Sequence, residues 1–143
     1  TLVMKEISQP RDTRVMLRGN YLTPGEAVAA GTPGVLHPFD AKLPSDRLGL
    51  AKWVVDPANP LTSRVTVNRW WSAFMGRSIV STQEDFGTQG EAPTHRRLLD
   101  WLAVEFMEKG WDIKHMVGLI VSSDTYRQSS LASREARSAV SGR

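Results

Sequence analysis

Two polar side chains, Arg64 and Asn68, project onto the apolar face of a predicted helix within NPLTSRVTVNRWW, residues 59–71. With about 100° of rotation per residue, both fall on the same arc as Leu61 and Val65. A guanidinium group can bind an anion through two parallel hydrogen bonds, and a carboxamide can donate and accept at once. An unpaired buried charge is costly, so Arg64 needs an acidic partner, backbone carbonyls or a water-filled cleft.

Further polar residues project onto apolar faces in the same way. His95 falls among the leucines of the next predicted helix. Asp124 and Arg127 continue the apolar stripe of the last predicted helix. With Arg69 at the edge of the first arc and two more acids, these residues form the candidate polar set: Arg64, Asn68, Arg69, Asp85, His95, Asp100, Asp124 and Arg127.

Two interpretations of this candidate polar set stay open. In the first it is a structural network, in which Arg64 or Arg127 pairs with one of the three acids and Asn68 binds the backbone of a loop. In the second it lines a pocket for an anionic or sugar-like ligand, with a tryptophan ring as a stacking surface. That pocket would be lined by Arg64, Asn68, Arg69, Asp85 and His95.

No recognisable catalytic motif accompanies these residues, so the sequence leaves enzymatic activity open. His37, His95 and His115 do not stand at metal-ligand spacing, and the chain contains no cysteine. None of the serines occupies the G-x-S-x-G pattern of a nucleophile elbow. We therefore predict neither a metal site nor a cofactor within this chain.

The charge distribution argues against nucleic acid as a partner. The formal net charge is +3, and residues 129–143 supply three arginines and one glutamate, which leaves about +1 for the rest. A nucleic-acid-binding protein normally carries a basic stripe with aromatic residues on a folded element, and this sequence has none. The apolar runs are far shorter than the ~20 residues that cross a bilayer, so no membrane span is predicted.

Prolines and glycines divide the chain into a loop-rich part and a helical part. Residues 1–44 contain five prolines and four glycines, which predicts loops with short strands. The best strand candidate is Thr13–Leu22, and a weaker one covers 26–30 with 35–36.

Four predicted helices follow these strands. They begin after the capping residues Ser45, Asn59, Thr94 and Asp112, and they extend to about Val55, Gly76, Lys109 and Arg127. The loop over 78–93 carries an aromatic anchor at Phe86.

The predicted fold class is mainly α, with about four helices in a compact bundle-like core behind an arm with short β-strands. The predicted domains are an arm over 1–44 packed on the helical part, a helical core over 45–128 and a polar basic tail over 129–143. We expect this tail to be the truncated continuation of a longer domain.

Four segments resemble, in order and spacing, the DUF1553 domain, also called PSD1, of large secreted proteins abundant in planctomycetes. They are NPLTSRVTVNRWW, GRSIVSTQEDFGTQGEAPTH, LLDWLAVEFMEKGW and SSDTYRQSS. The resemblance runs from about residue 48 to 130, and RGNYLTPGE is similar to an upstream segment of the family. Within the candidate polar set, the family motif covers every member except Asp124, namely Arg64, Asn68, Arg69, Asp85, His95, Asp100 and Arg127.

The resemblance implies a place within a longer, exported protein, located outside the cell or in the periplasm. Such proteins usually carry a DUF1549 domain and often a c-type cytochrome module, so any c-type haem would belong to another module. The family has no established activity. Where it commonly has a His-His pair, this chain has Ala73 and Phe74, which argues against a histidine-rich metal or haem contact here.

The sequence therefore predicts a non-catalytic structural or interaction module of a larger exported, cytochrome c-linked protein. Its partners would be other domains of the same polypeptide, such as DUF1549 and cytochrome c modules. The alternative is a ligand-binding or catalytic domain, directed at polysaccharide or acting as a haem-coupled oxidoreductase, with a pocket of Arg, Asn, His and Asp side chains.

Overall fold

The structure, a computed structural model, describes residues 2–7, 9 and 11–129. It contains two short strands followed by four α-helices: β1 (Arg14–Met16), β2 (Pro24–Ala27), α1 (Arg47–Val54), α2 (Thr62–Met75), α3 (Arg96–Glu108) and α4 (Ile113–Ser122). The prediction of a mainly α chain with short strands ahead of about four helices is confirmed. Within these described ranges, no helix is long and apolar enough to span a membrane.

The chain divides into two compact units, with the division after Pro60. The first unit holds the two strands and α1, and the second holds α2, α3 and α4. The predicted core began at residue 45 and therefore included α1. In the structure, α1 lies in the first unit instead. The predicted packing of the arm on the core stays a prediction, and the predicted tail lies, apart from Ser129, outside the described residues.

In the first unit, β1 and β2 pair in antiparallel fashion as a two-stranded sheet. The predicted strand over 13–22 is much shorter in the structure because the chain turns immediately after β1. Arg18 and Gly19 both have positive φ, 52° and 74°, which no strand residue adopts. The Asn20 side chain then accepts a hydrogen bond from the Leu22 N–H, which closes the turn.

Helix α1 is fixed at both ends by side-chain hydrogen bonds. Its N-cap is Asp46, one residue after the predicted Ser45, and the Asp46 carboxylate accepts a hydrogen bond from the Gly49 N–H. Near its C-terminus, the Trp53 indole donates to the His37 carbonyl at 3.0 Å, and the His37 ring stacks on the indole at 4.6 Å. His37 Nε2 in turn lies 3.1 Å from the Trp53 carbonyl, so the two residues are joined in both directions and tie the proline-rich loop to the helix.

In the second unit, α2 packs mainly against α3 and also contacts α4. The apolar residues at the centre of this packing are Val67, Ile79, Val80, Leu99, Leu102, Ala103, Phe106 and Met116. Phe106 has aromatic neighbours on two sides, with the Trp70 and Trp111 rings each 4.9 Å away in edge-to-face geometry. Phe86 packs against the cluster, as expected for the predicted loop anchor.

Helix α4 is shorter than the predicted helix, which extended to about Arg127. Asp112 caps its start as predicted, because its carboxylate accepts from the His115 N–H. The helix ends at Ser122, because Ser123 has extended backbone angles. The Ser123 hydroxyl donates to the Ile120 carbonyl and accepts from the Tyr126 N–H, a local pairing that competes with helix continuation.

Two glycines of the second unit should respond in opposite ways to alanine. Gly118 is exposed inside α4 with open space around its Cα, so Gly118→Ala should stabilise the fold by about 0.5–1 kcal/mol. Gly76 ends α2 with φ 75°, so Gly76→Ala should destabilise it by about 1 kcal/mol. Urea unfolding measures both changes. Equal signs for the two variants would contradict this assignment of the helix interior and the helix end.

Candidate functional site

The most buried residue of the candidate polar set is Asn68, with 1% of its surface exposed. Its side-chain Nδ2 donates to the Val80 carbonyl at 3.1 Å, and its Oδ1 accepts from the Val80 N–H at 2.9 Å. The carboxamide thus pairs with both backbone groups of one residue, as a neighbouring strand would. This pairing satisfies the backbone of a residue that lies in the core and outside regular secondary structure.

Val80 and its neighbour Ile79 are both buried, and we call them the buried dipeptide. They lie between α2 and α3 in the chain. The Ile79 carbonyl accepts two hydrogen bonds from Thr94, one from its N–H at 2.9 Å and one from its hydroxyl at 3.1 Å. The buried dipeptide is therefore held by α2 through Asn68 and by the residues before α3 through Thr94. It is the point at which the loop over 78–93 enters the core.

Arg64 lies one helical turn before Asn68 on α2 and makes an ion pair with α3. Its Nε is 2.7 Å from Oδ1 of Asp100, and the two side chains are 33% and 40% exposed. Arg96 approaches the other carboxylate oxygen of Asp100 at 3.9 Å. Sequence reasoning expected Arg64 to be a core charge, but the structure places it at the border of the core, where water reaches the pair.

Arg69 and Asp85 do not join this ion pair. The Arg69 guanidinium lies 3.6 Å from the Glu84 carboxylate, and both side chains are exposed. Asp85 is also exposed, and its backbone N–H and carbonyl both form hydrogen bonds with Thr82. These contacts shape the loop over 78–93 and leave both side chains at the surface.

His95, Asp124 and Arg127 are exposed, which corrects their predicted place on buried helix faces. The projection failed because none of the three lies within a helix. His95 occupies the N-cap position of α3 with non-helical angles, and its Nδ1 is 3.1 Å from the Thr94 hydroxyl. Asp124 and Arg127 follow the end of α4.

The candidate polar set is thus divided among three environments. Asn68 is sealed, Arg64 and Asp100 are paired at the border of the core, and the other five side chains are exposed. The pocket interpretation required Arg64, Asn68, Arg69, Asp85 and His95 to line one cavity, and Asn68, being sealed inside the protein, does not face an open one. The network interpretation agrees with the observed contacts of Arg64, Asn68 and Asp100.

Sequence reasoning missed a second polar contact between helices. His115 of α4 has its Nε2 2.7 Å from Oε1 of Glu105 of α3, and this carboxylate is mostly buried. The sequence did contain a signal for this contact. Glu105 lies on α3 at the flank of the apolar stripe that includes Leu102 and Phe106, so its carboxylate needs a partner. Among the described residues, no group of three or more His, Cys, Asp or Glu side chains could hold a metal ion.

The first unit contains a cavity of about 770 Å³ that includes none of the candidate polar set. Its charged lining residues are Lys5, Glu6, Arg11, Asp46 and Arg47. Two of these charges face each other, because Glu6 and Arg47 form an ion pair, and the Asp46 carboxylate is occupied in capping α1. The lining therefore has mixed charge and no single preferred ligand chemistry.

Comparisons with known proteins give one finding. Residues 46–141 match the model of a family described as PSD1, protein of unknown function (DUF1553). The matched range begins at the residue that caps α1 and includes α2, α3 and α4. Neither the curated proteins nor the solved structures gave a match.

Removing the Asn68 carboxamide should cost more than removing any exposed polar side chain nearby. Asn68→Ala leaves the buried N–H and carbonyl of Val80 without partners, so we expect a loss of about 2–4 kcal/mol in the free energy of unfolding. Asn68→Asp should also destabilise the fold, because a carboxylate accepts from the Val80 N–H but cannot donate to its carbonyl.

The matched control for this experiment is Arg69→Ala, on the adjacent residue of the same helix. Because Arg69 is exposed, its truncation should change the free energy of unfolding by less than about 0.5 kcal/mol. Similar losses in Asn68→Ala and Arg69→Ala, measured by denaturant unfolding, would contradict the special role of the Asn68 hydrogen bonds.

The Arg64–Asp100 pair should show a modest, salt-dependent coupling. In a double-mutant cycle of Arg64→Leu and Asp100→Asn, we expect a coupling of about 1 kcal/mol, because a partly exposed pair is screened by water and ions. Arg96 is the control, since it is 84% exposed and lies farther from the same carboxylate. A cycle of Arg96→Leu with Asp100→Asn should give a smaller coupling, and the reverse order would refute the assigned pairing.

Proposed function

The chain belongs to the PSD1 (DUF1553) family, and from this premise we propose that it is a non-catalytic structural or interaction module of a larger exported protein. The observation that carries the proposal is the use of Asn68. A carboxamide can bind a ligand through its donor and its acceptor. The Asn68 carboxamide is buried, however, and both groups form hydrogen bonds with the backbone of Val80.

The ion pair of Arg64 supports the same interpretation. Its Nε donates to Asp100 at 2.7 Å, so the guanidinium links α2 to α3. An anion would have to displace this carboxylate to gain the same contact. Charge-assisted hydrogen bonds of this length are among the stronger side-chain contacts, so the Arg64–Asp100 contact contributes to the packing of α2 on α3.

A catalytic function would require several reactive groups around one point that a substrate can reach. In the described part of the chain, His95 and Arg127 lie at the surface on different segments, and Asn68 is out of reach of solvent. The polysaccharide-directed or haem-coupled alternative depended on the convergence of these residues. The burial of Asn68, which a substrate cannot reach, is the reason that we favour the structural module.

The remaining features of the proposal rest on the family resemblance. We infer that the full protein acts outside the cytoplasm, in the periplasm or as a secreted protein. Its partners for this module would be other domains of the same polypeptide, such as DUF1549 and c-type cytochrome modules. The c-type haem would be carried by the cytochrome module and not by this chain.

A thermal-shift panel distinguishes the structural module from a binding domain. Phosphate, sulfate and neutral oligosaccharides are added separately to the chain, and the unfolding midpoint is measured for each. A ligand at a hundred times its Kd would stabilise the native state by about 2.7 kcal/mol and raise the midpoint by several degrees. We expect no specific shift with any of these ligands.

Arg64→Leu and Arg69→Ala provide the contrast that makes the panel specific. General salt effects on stability act on both variants and on the parent alike. The proposal would be overturned by a ligand that stabilises the parent and Arg69→Ala but not Arg64→Leu. That pattern would mean that Arg64 binds the ligand and that the network interpretation is wrong.

A further inference from the structure

Helix α3 carries an exposed stripe that takes no part in the core. The stripe consists of Arg97, Trp101, Val104 and Glu108, and we call it the α3 stripe. At about 100° per residue its four members lie within an arc of about 60°, on one side of the helix. Trp101 is 51% exposed and Val104 is 42% exposed. Tryptophan is enriched among the residues that contribute most of the binding energy at protein–protein interfaces.

The charges of α3 separate into those with partners and those without. Arg96, Asp100 and Glu105 all take part in ion pairs within the second unit. The remaining two, Arg97 and Glu108, are exposed, and neither belongs to an ion pair in the described part of the chain. These two charges, of opposite sign, stand at the two ends of the α3 stripe.

The order of residues along the α3 stripe is self-complementary about a two-fold axis. Arg97 and Glu108 are equally distant from the midpoint of the stripe, between Leu102 and Ala103, and so are Trp101 and Val104. If two copies of α3 pack antiparallel about that midpoint, each Arg97 faces a Glu108 and each Trp101 faces a Val104. An isologous interface has this requirement, because the same surface must complement itself.

We propose that the α3 stripe is the interface of a reversible homodimer, in which the partner is a second copy of this chain packed antiparallel on α3. Charge complementarity selects this occupant, since the two unpaired charges of the helix satisfy each other only under the two-fold. A single helix face is smaller than the interface of an obligate dimer, so the dimer should dissociate on dilution. The proposal does not depend on the structural function proposed above, which stands or fails by other measurements.

Sedimentation equilibrium of the chain, over low to high micromolar concentration, measures this association. We expect a concentration-dependent monomer–dimer equilibrium. Trp101→Ala should weaken the dimer at least about tenfold, because each dimer contains the residue twice and buried tryptophans dominate interface energies. The control is Ile113→Ala on α4, which removes another exposed apolar side chain and should leave the dimer unchanged.

Charge reversal tests the antiparallel register. Arg97→Glu alone and Glu108→Arg alone should each weaken self-association, because each places like charges opposite one another. Mixing these two variants should restore association, since both contacts of the mixed dimer then join opposite charges. The doubly reversed variant should also dimerise as the parent does. Lys114→Glu, an exposed charge reversal on α4, should have no effect.

Cysteine trapping gives a readout that is independent of affinity, because the chain contains no cysteine of its own. Under mild oxidation, an equal mixture of Arg97→Cys and Glu108→Cys chains should form a disulfide-linked dimer. Neither variant alone should do so, because the two copies of either residue lie about 16 Å apart along the axis in this register. A chain that remains monomeric at every concentration would overturn the proposal. A dimer that Trp101→Ala does not weaken, or mixed charge variants that fail to associate, would overturn it equally.

Discussion

The second unit depends on how the buried dipeptide, Ile79 and Val80, finds hydrogen-bond partners for its backbone N–H and carbonyl groups. Ile79 and Val80 enter the core without a neighbouring strand, so their polar groups need partners from elsewhere. Asn68 provides both partners of Val80, and Thr94 provides the partner of the Ile79 carbonyl. Because Asn68 lies on α2 and Thr94 lies just before α3, the same few hydrogen bonds also fix where the two helices meet. The apolar packing of Val67, Leu99 and Phe106 is built around that arrangement.

The other polar contacts of this unit become weaker constraints as they approach the surface. The Glu105–His115 contact between α3 and α4 is mostly covered, and the Arg64–Asp100 pair between α2 and α3 is partly open to water. The α2–α3 pair and the α3–α4 pair thus each have a polar link in addition to apolar contacts. Such links favour one relative position of the helices over others, because a shift along the apolar surface would separate donors from acceptors.

Local chemistry explains how much of this could be predicted from the sequence. Gly76 and Asp112 mark helix ends through properties of single residues, and the contact of Asn68 with a loop backbone followed from its buried helical position. The exposure of His95, Asp124 and Arg127 was not predictable in the same way. Helical projection assumes that the helix continues, and the Ser123 hydroxyl ends α4 by hydrogen bonds that no periodicity reveals. The contact of Glu105 with His115 depends on how two helices meet, which sequence spacing alone does not determine.

The extent of the family and the extent of the compact units differ, and the difference has a physical consequence. The family match begins at Asp46 and includes α1, whereas α1 belongs to the first compact unit. Within that unit the indole of Trp53 donates to the carbonyl of His37, and the His37 ring covers the indole by stacking. His37 lies before the matched range, so a chain trimmed to the family match would lose that acceptor and that cover. The buried Trp53 indole N–H would then have to find another acceptor, at the cost of an unmade hydrogen bond. The proline-rich residues ahead of the matched range therefore contribute to the folding of its first helix.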